Sequence, residues 1–154
     1  VTPQNPLKIT RPATYEERVV NCQHITKNCP IVVKEFEKNI SSKYSYQTIK
    51  YLLHHYNNIK FYWLMGADNL INFHNWQNWR QFFNQISIVI FRRHGYNNAA
   101  LRSIASKTFL NYQINANQLN RMNFNSLPSW SFIQNREIRI SSTEIRKQRE
   151  LLRG

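Results

Sequence analysis

The stretch RISSTEIRK at 139–147 places Ser141, Ser142, Thr143 and Arg146 directly after an alternating run that reads as the end of a strand. With Ser141 as N-cap, Glu144 falls at N3 and completes an S-x-x-E capping box, so the spacing predicts a helix from Ser142. A helix start leaves amide N–H groups without internal partners, and one serine hydroxyl satisfies only one of them. The remaining amides, with the hydroxyls of Ser142 and Thr143, sit under a positive dipole end that suits a phosphate. Arg146 lies in the same first turn and can grip a phosphate in a two-pronged fork that lysine lacks. The same residues would also make an ordinary surface helix with a solvated arginine, and position in the fold decides between the two.

The elements that must hold such a site alternate. Thr14 followed by Glu17 predicts a capped helix over about 15–25, and IVVKEF at 31–36 reads as a strand because it is β-branched and follows Pro30. Ser45 is expected to cap a helix whose Ile49, Leu52, Leu53 and Tyr56 fall on one face. KFYWLMG at 60–66 and ISIVIF at 86–91 are nearly continuous apolar runs, the pattern of parallel strands covered on both sides. Between them, 68–83 reads as two short aromatic helices broken near 74–76, and RRHGY leaves the second strand as a turn. Residues 97–111 are expected to be helical, 112–130 irregular and Asn-rich, EIRIS a last short strand and 142–153 a last helix. Buried strands alternating with helices predict an α/β fold, a parallel sheet flanked by helices, in a single domain over 1–154. In such a sheet ligands bind outside the carboxyl ends of the strands. RISSTEIRK, GAD at 66–68, RRHGY at 92–96 and TPQNPLK at 2–8 are all expected at such ends.

Composition narrows the partners. Apolar residues make up 42% of the sequence, too many for a disordered chain, and the longest apolar runs are far shorter than the roughly 20 residues of a membrane helix. The formal charge of +13 favours anionic ligands. The cations are spread among core residues with no block of five or more, which argues for nucleotides rather than a nucleic-acid groove. Cys22 and Cys29 fit neither a redox pair nor a zinc knuckle, and with no secretory signal in view they suit a reducing cytoplasm. His54 and His55 are adjacent, so a helix points them about 100° apart and they cannot share a metal.

The other candidates carry two readings each. Asp68 can meet a sugar hydroxyl or cap the helix after its strand, and Ser45 can serve a ligand or its own helix. Trp76 stands among Phe73, Trp79, Phe82 and Phe83, where an aromatic is more often core than stacking platform.

ISSTEIR resembles the ISSTxIR signature of nucleotidyltransferases with a dinucleotide-binding-like, Rossmann-like fold. WLMGADNLINFHNW at 63–76, FRRHGY at 91–96, YSYQTIKYL at 44–52 and VTPQNPLK at the start are similar, in the same order, to bacterial nicotinate-nucleotide adenylyltransferases. The resemblance implies adenylyl transfer from ATP, with Mg²⁺, to nicotinate mononucleotide, releasing pyrophosphate and making deamido-NAD. It also implies roles: Ser142, Thr143 and Arg146 on the ATP phosphates, Gly66 and Asp68 on the adenosine side. Trp76 would lie against the nicotinate ring, Ser45 near its carboxylate, and Lys8 and Arg93 would neutralise phosphate.

One part of the family pattern is missing. Such enzymes open with a strand and a G-G-[ST]-F-[DN]-P-x-H-x-G-H loop whose histidines meet the reacting phosphates. The present sequence has no H-x-G-H, and its only glycines are Gly66, Gly95 and Gly154. The reading at this stage is a chain lacking that first strand and a C-terminal segment, with no catalytic residue of its own. The alternatives are a non-catalytic nucleotide-binding remnant, an adenylyltransferase for another mononucleotide, or a basic RNA- or DNA-binding module.

Overall fold

Buried apolar runs must pair their backbone groups with one another, and in the computed structural model they do so in parallel. The structure describes residues 13–40, 44–121, 126–136 and 151. Their elements, in order, are α1 (Tyr15–Thr26), α2 (Phe36–Asn39), α3 (Ser45–His55), β1 (Tyr62–Gly66), α4 (Ala67–Ile71), α5 (Trp79–Gln85), β2 (Ser87–Phe91), α6 (Asn97–Leu101), α7 (Ile104–Thr108) and β3 (Trp130–Ile133). Short 3₁₀ turns stand at Phe73–Asn75, Leu110–Tyr112 and Ala116–Arg121. The described residues up to Lys60, with Trp76–Asn78, form one compact unit, and the remainder forms a second.

In the first unit, α1 begins as its sequence demands. Thr14 Oγ1 accepts from the Glu17 amide at 3.2 Å, and the Thr14 amide donates back to Glu17 Oε2 at 2.9 Å, so both arms of the capping box are made. IVVKEF is not a strand. Residues 31–35 are irregular, Ile31 and Val32 are 59% and 75% exposed, and Phe36 opens α2. β-branched residues favour strands only where a ladder and a packed face receive them. α3 forms where its periodicity placed it, with Ile49 fully buried, but Tyr44 rather than Ser45 is its N-cap and no side chain caps it. Thr48 instead donates to Glu37 Oε1 at 2.9 Å inside the unit.

The second unit holds the sheet, in the order β1-β2-β3, both pairs parallel. β2 is central, and four of its five residues are buried, which explains its unbroken apolar run. β1 departs from the expectation of cover on both faces: Leu64 is 60% exposed and Tyr62 39%. Two positions of period two exposed in this way leave β1 packed on one side. β3 begins at the last residue of the segment expected to be irregular and runs on into residues for which no element was expected; its Trp130 is fully buried and donates its indole N–H to the Phe109 carbonyl at 2.7 Å. The helix expected over 97–111 is broken at Ser103, whose hydroxyl accepts from the Ser106 amide and starts α7 afresh. The break near His74–Trp76 is real: α5 starts only at Trp79, after Asn78 at a positive φ of 53°.

Aromatic rings fill the space between these elements. Phe83 stacks on Phe109 with centroids 4.2 Å apart, and Phe73 meets both Phe82 and Phe83 edge to face. Phe73, Phe82 and Phe83 have no exposed surface. α4 packs against α6 and α7, so the helix that leaves β1 and the helices that follow β2 share one face. Parallel pairing brings the carboxyl ends of the three strands to one edge of this unit, and Gly66, Asp68 and Arg93 stand at that edge.

Candidate functional site

Three strand exits lie side by side here. β1 ends at Gly66 and runs straight into α4, β2 ends at Phe91 before Arg92 and Arg93, and β3 ends at Ile133 before Asn135. Asp68 stands in the first turn of α4 and does not cap it; Gly66 is the N-cap residue. Asp68 Oδ2 accepts from Arg93 Nη1 at 2.7 Å, and Asp68 Oδ1 is buried with no hydrogen-bond partner among the described residues. The side chains of Arg93 and Asp68 keep 40% and 27% of their surface open. A buried carboxylate oxygen without a partner is costly.

Gly66 is needed for space rather than for backbone freedom. Its φ of −79° and ψ of 157° suit any residue, yet a Cβ there would lie 2.5 Å from Asp68 Oδ1 and 3.8 Å from Arg93 Cδ. The carboxylate sits directly over the glycine, and the arginine lies beside it. Gly95 answers a different need: its φ of +81° closes the turn after β2, which the Arg93 carbonyl helps to hold by accepting from the Tyr96 amide at 3.0 Å.

Two asparagines fix the backbone of that turn. Asn97 Oδ1 accepts the Arg93 amide at 2.8 Å, and Asn135 Oδ1 accepts the Arg92 amide at 2.8 Å. Neither was singled out by the sequence reading, because each serves a backbone group and follows no periodic or motif signal. Asp68 had a signal that went unused. It is the only aspartate among the 154 residues, and no glutamate lies between Glu37 and Glu137.

Of the residues chosen from sequence, Gly66, Asp68 and Arg93 are therefore brought together. The pairing joins two side chains to which the resemblance gave opposite substrates, Asp68 the adenosine side and Arg93 the mononucleotide phosphate. Ser45 opens α3 and Trp76 stands half-buried at the break before α5, both in the first unit. Lys8, Ser142, Thr143 and Arg146 lie outside the described residues, as do the expected strand EIRIS and the body of the last helix. Among the described residues no group of three or more His, Cys, Asp or Glu could hold a metal ion, and no helix is long and apolar enough to cross a membrane.

The cytidylyltransferase-like family profile matches residues 1–148. The probable nicotinate-nucleotide adenylyltransferase of Ruegeria sp. strain TM1040 is 34% identical over 148 residues, 96% of this chain and 78% of that protein. Those of Rhizobium meliloti strain 1021 and Mesorhizobium japonicum are 33% and 34% identical, over 95% and 96% of this chain and 78% and 76% of their own length.

Proposed function

The chain belongs to the cytidylyltransferase-like family, among its nicotinate-nucleotide adenylyltransferases, and from that premise we propose that it serves adenylyl transfer from ATP to nicotinate mononucleotide, giving deamido-NAD and pyrophosphate. The observation that supports this most is the meeting of Gly66, Asp68 and Arg93 at the carboxyl ends of parallel strands, where α/β folds bind nucleotides.

The reaction joins two polyanions, so the protein's task is to hold them in line and to stabilise charge on the phosphoryl oxygens. In our reading Asp68 Oδ1 accepts from a ribose hydroxyl of ATP while Gly66 lets the ligand approach the backbone. Arg93, held from one side by Asp68, offers further N–H donors to phosphate; a guanidinium has five and the pair uses one nitrogen. Ser142, Thr143 and Arg146 cradle the triphosphate, Lys8 adds positive charge, Trp76 lies against the nicotinate ring and Ser45 faces its carboxylate. Mg²⁺ enters with ATP as part of the substrate, held by phosphate and water, as this ion is usually bound in phosphoryl-transfer sites. The described residues fit that role better than a dedicated cage, since the single carboxylate at the strand ends is already engaged through one oxygen. An ATP-consuming step of this kind belongs in the cytoplasm.

The test is pyrophosphate release by the purified protein with ATP, Mg²⁺ and nicotinate mononucleotide, beside nicotinamide mononucleotide as the competing acceptor. Release with the acid at a higher kcat/KM than with the amide is expected. ATP binding by calorimetry with no product would overturn catalysis and leave a binding protein. Arg146→Ala is expected to lower kcat/KM by about one to three orders of magnitude through loss of a charge-assisted phosphate contact, and an unchanged rate removes that residue from the phosphate site.

A further inference from the structure

β2 and β3 stop pairing at Phe91 and Ile133, and one side chain then extends the ladder. Asn135 Oδ1 accepts from the Arg92 amide at 2.8 Å, while Asn135 Nδ2 donates to the Arg92 carbonyl at 3.5 Å and to the Arg136 carbonyl at 3.1 Å. One side-chain amide therefore meets both backbone groups of Arg92, in the donor-and-acceptor pattern of a paired strand residue. The Arg92 amide also reaches the Ile133 carbonyl at 3.4 Å, so its bond is shared between ladder and side chain. The residue held in this way is the one before Arg93. Beyond it the chain turns, with the Arg93 amide on Asn97 and its guanidinium on Asp68.

We propose that Asn135 is a positioning residue: by clamping Arg92 it sets the direction in which the chain leaves β2 and so delivers Arg93 to Asp68. The inference rests on the function proposed above for its kinetic readout, and on the geometry alone for its spectroscopic one. A side chain just past β3 thereby governs a contact between α4 and the turn after β2 without touching substrate, which separates it from the residues that bind.

A double-mutant cycle in the full protein tests this, with pyrophosphate release as the rate and thermal unfolding alongside. Asn135→Ala is expected to lower kcat/KM about tenfold, and to lower it no further when added to Arg93→Ala, because residues that act through one contact do not add. Asn135→Asp keeps the acceptor for the Arg92 amide and is expected to recover part of the rate. Multiplying effects in the double variant, or a rate for Asn135→Ala within about twofold of the parent, overturn the proposal. The guanidinium ¹⁵N signals of Arg93 in the substrate-free protein give the second readout. Asn135→Ala is expected to speed their solvent exchange as Asp68→Asn does, and unchanged exchange overturns the proposal whether or not the parent turns over. Absence of turnover in the parent itself would instead count against the function proposed above.

Discussion

Replacing Gly66 by alanine separates the stability of the strand exit from its use. The new Cβ would stand 2.5 Å from Asp68 Oδ1, roughly 1 Å inside ordinary van der Waals distance. The atom struck is the far end of a side chain, so the carboxylate swings aside and the backbone need not move. The backbone at Gly66, with φ −79° and ψ 157°, accepts alanine without strain, and removing a glycine stabilises by about 0.4 to 1 kcal/mol through the smaller entropy of the unfolded chain. Against this stands the ion pair with Arg93, which at 40% and 27% side-chain exposure contributes no more than about 1 kcal/mol. The two nearly cancel, and Gly66→Ala is expected to shift the unfolding midpoint by only a few degrees at most, about 4 °C. Its effect on catalysis should be far larger, because a misplaced binding group costs about tenfold to a hundredfold in rate. Pyrophosphate release beside thermal unfolding reads both. Asp68→Ala is the control: with the carboxylate gone there is nothing to strike, and Gly66→Ala should then add little to the rate already lost. A Gly66→Ala enzyme of full activity, or one equally impaired in the Asp68→Ala background, would refute this reasoning.

Two further outcomes concern the scaffold. Phe83→Ala removes a fully buried ring stacked on Phe109 and meeting Phe73, and is expected to cost about 3 to 5 kcal/mol in chemical denaturation; a loss under about 1 kcal/mol would show that the aromatic cluster is not the core of its unit. In the first unit, desolvation raises the Tyr15 phenol above its ordinary value of 10.0, and the carboxylates of Glu35 and Glu37 add to the rise. The folded state then keeps a proton that the unfolded chain gives up. The Tyr15 contribution is whole below about pH 10 and is lost as the pH climbs through the folded value. Denaturation midpoints across that range should fall less steeply in Tyr15→Phe, and parallel curves for the two proteins would remove Tyr15 as the cause.

Legibility in the sequence followed the physics of each element. β2 was plain because a central parallel strand is apolar throughout, and α1 was plain because its capping box is a local arrangement. β3 was hidden by the serines around its start: Ser129 just before it and Ser131 within it are buried, and Ser129 Oγ lies 2.7 Å from Ser87 Oγ, a bond across 42 positions of sequence. Small polar residues buried at a sheet look like a loop when read alone. IVVKEF failed in the opposite sense, since its residue types promised a strand that the described fold does not use.

The candidate site shows the same division between residue type and arrangement. GAD and RRHGY drew attention by composition and by resemblance, but nothing local says that Asp68 and Arg93 form one ion pair, because the two are joined only through the register of β1 on β2. That join changes the chemistry. An isolated arginine at a strand end is a mobile charge that loses side-chain entropy whenever it meets a phosphate. Held at Nη1 by Asp68, with its own amide fixed by Asn97 and the preceding residue clamped by Asn135, Arg93 has lost much of that freedom before any ligand arrives. Neutralisation by Asp68 weakens its long-range pull on an anion, yet the remaining donors are presented in a fixed plane, so the pair trades attraction at a distance for geometry at contact.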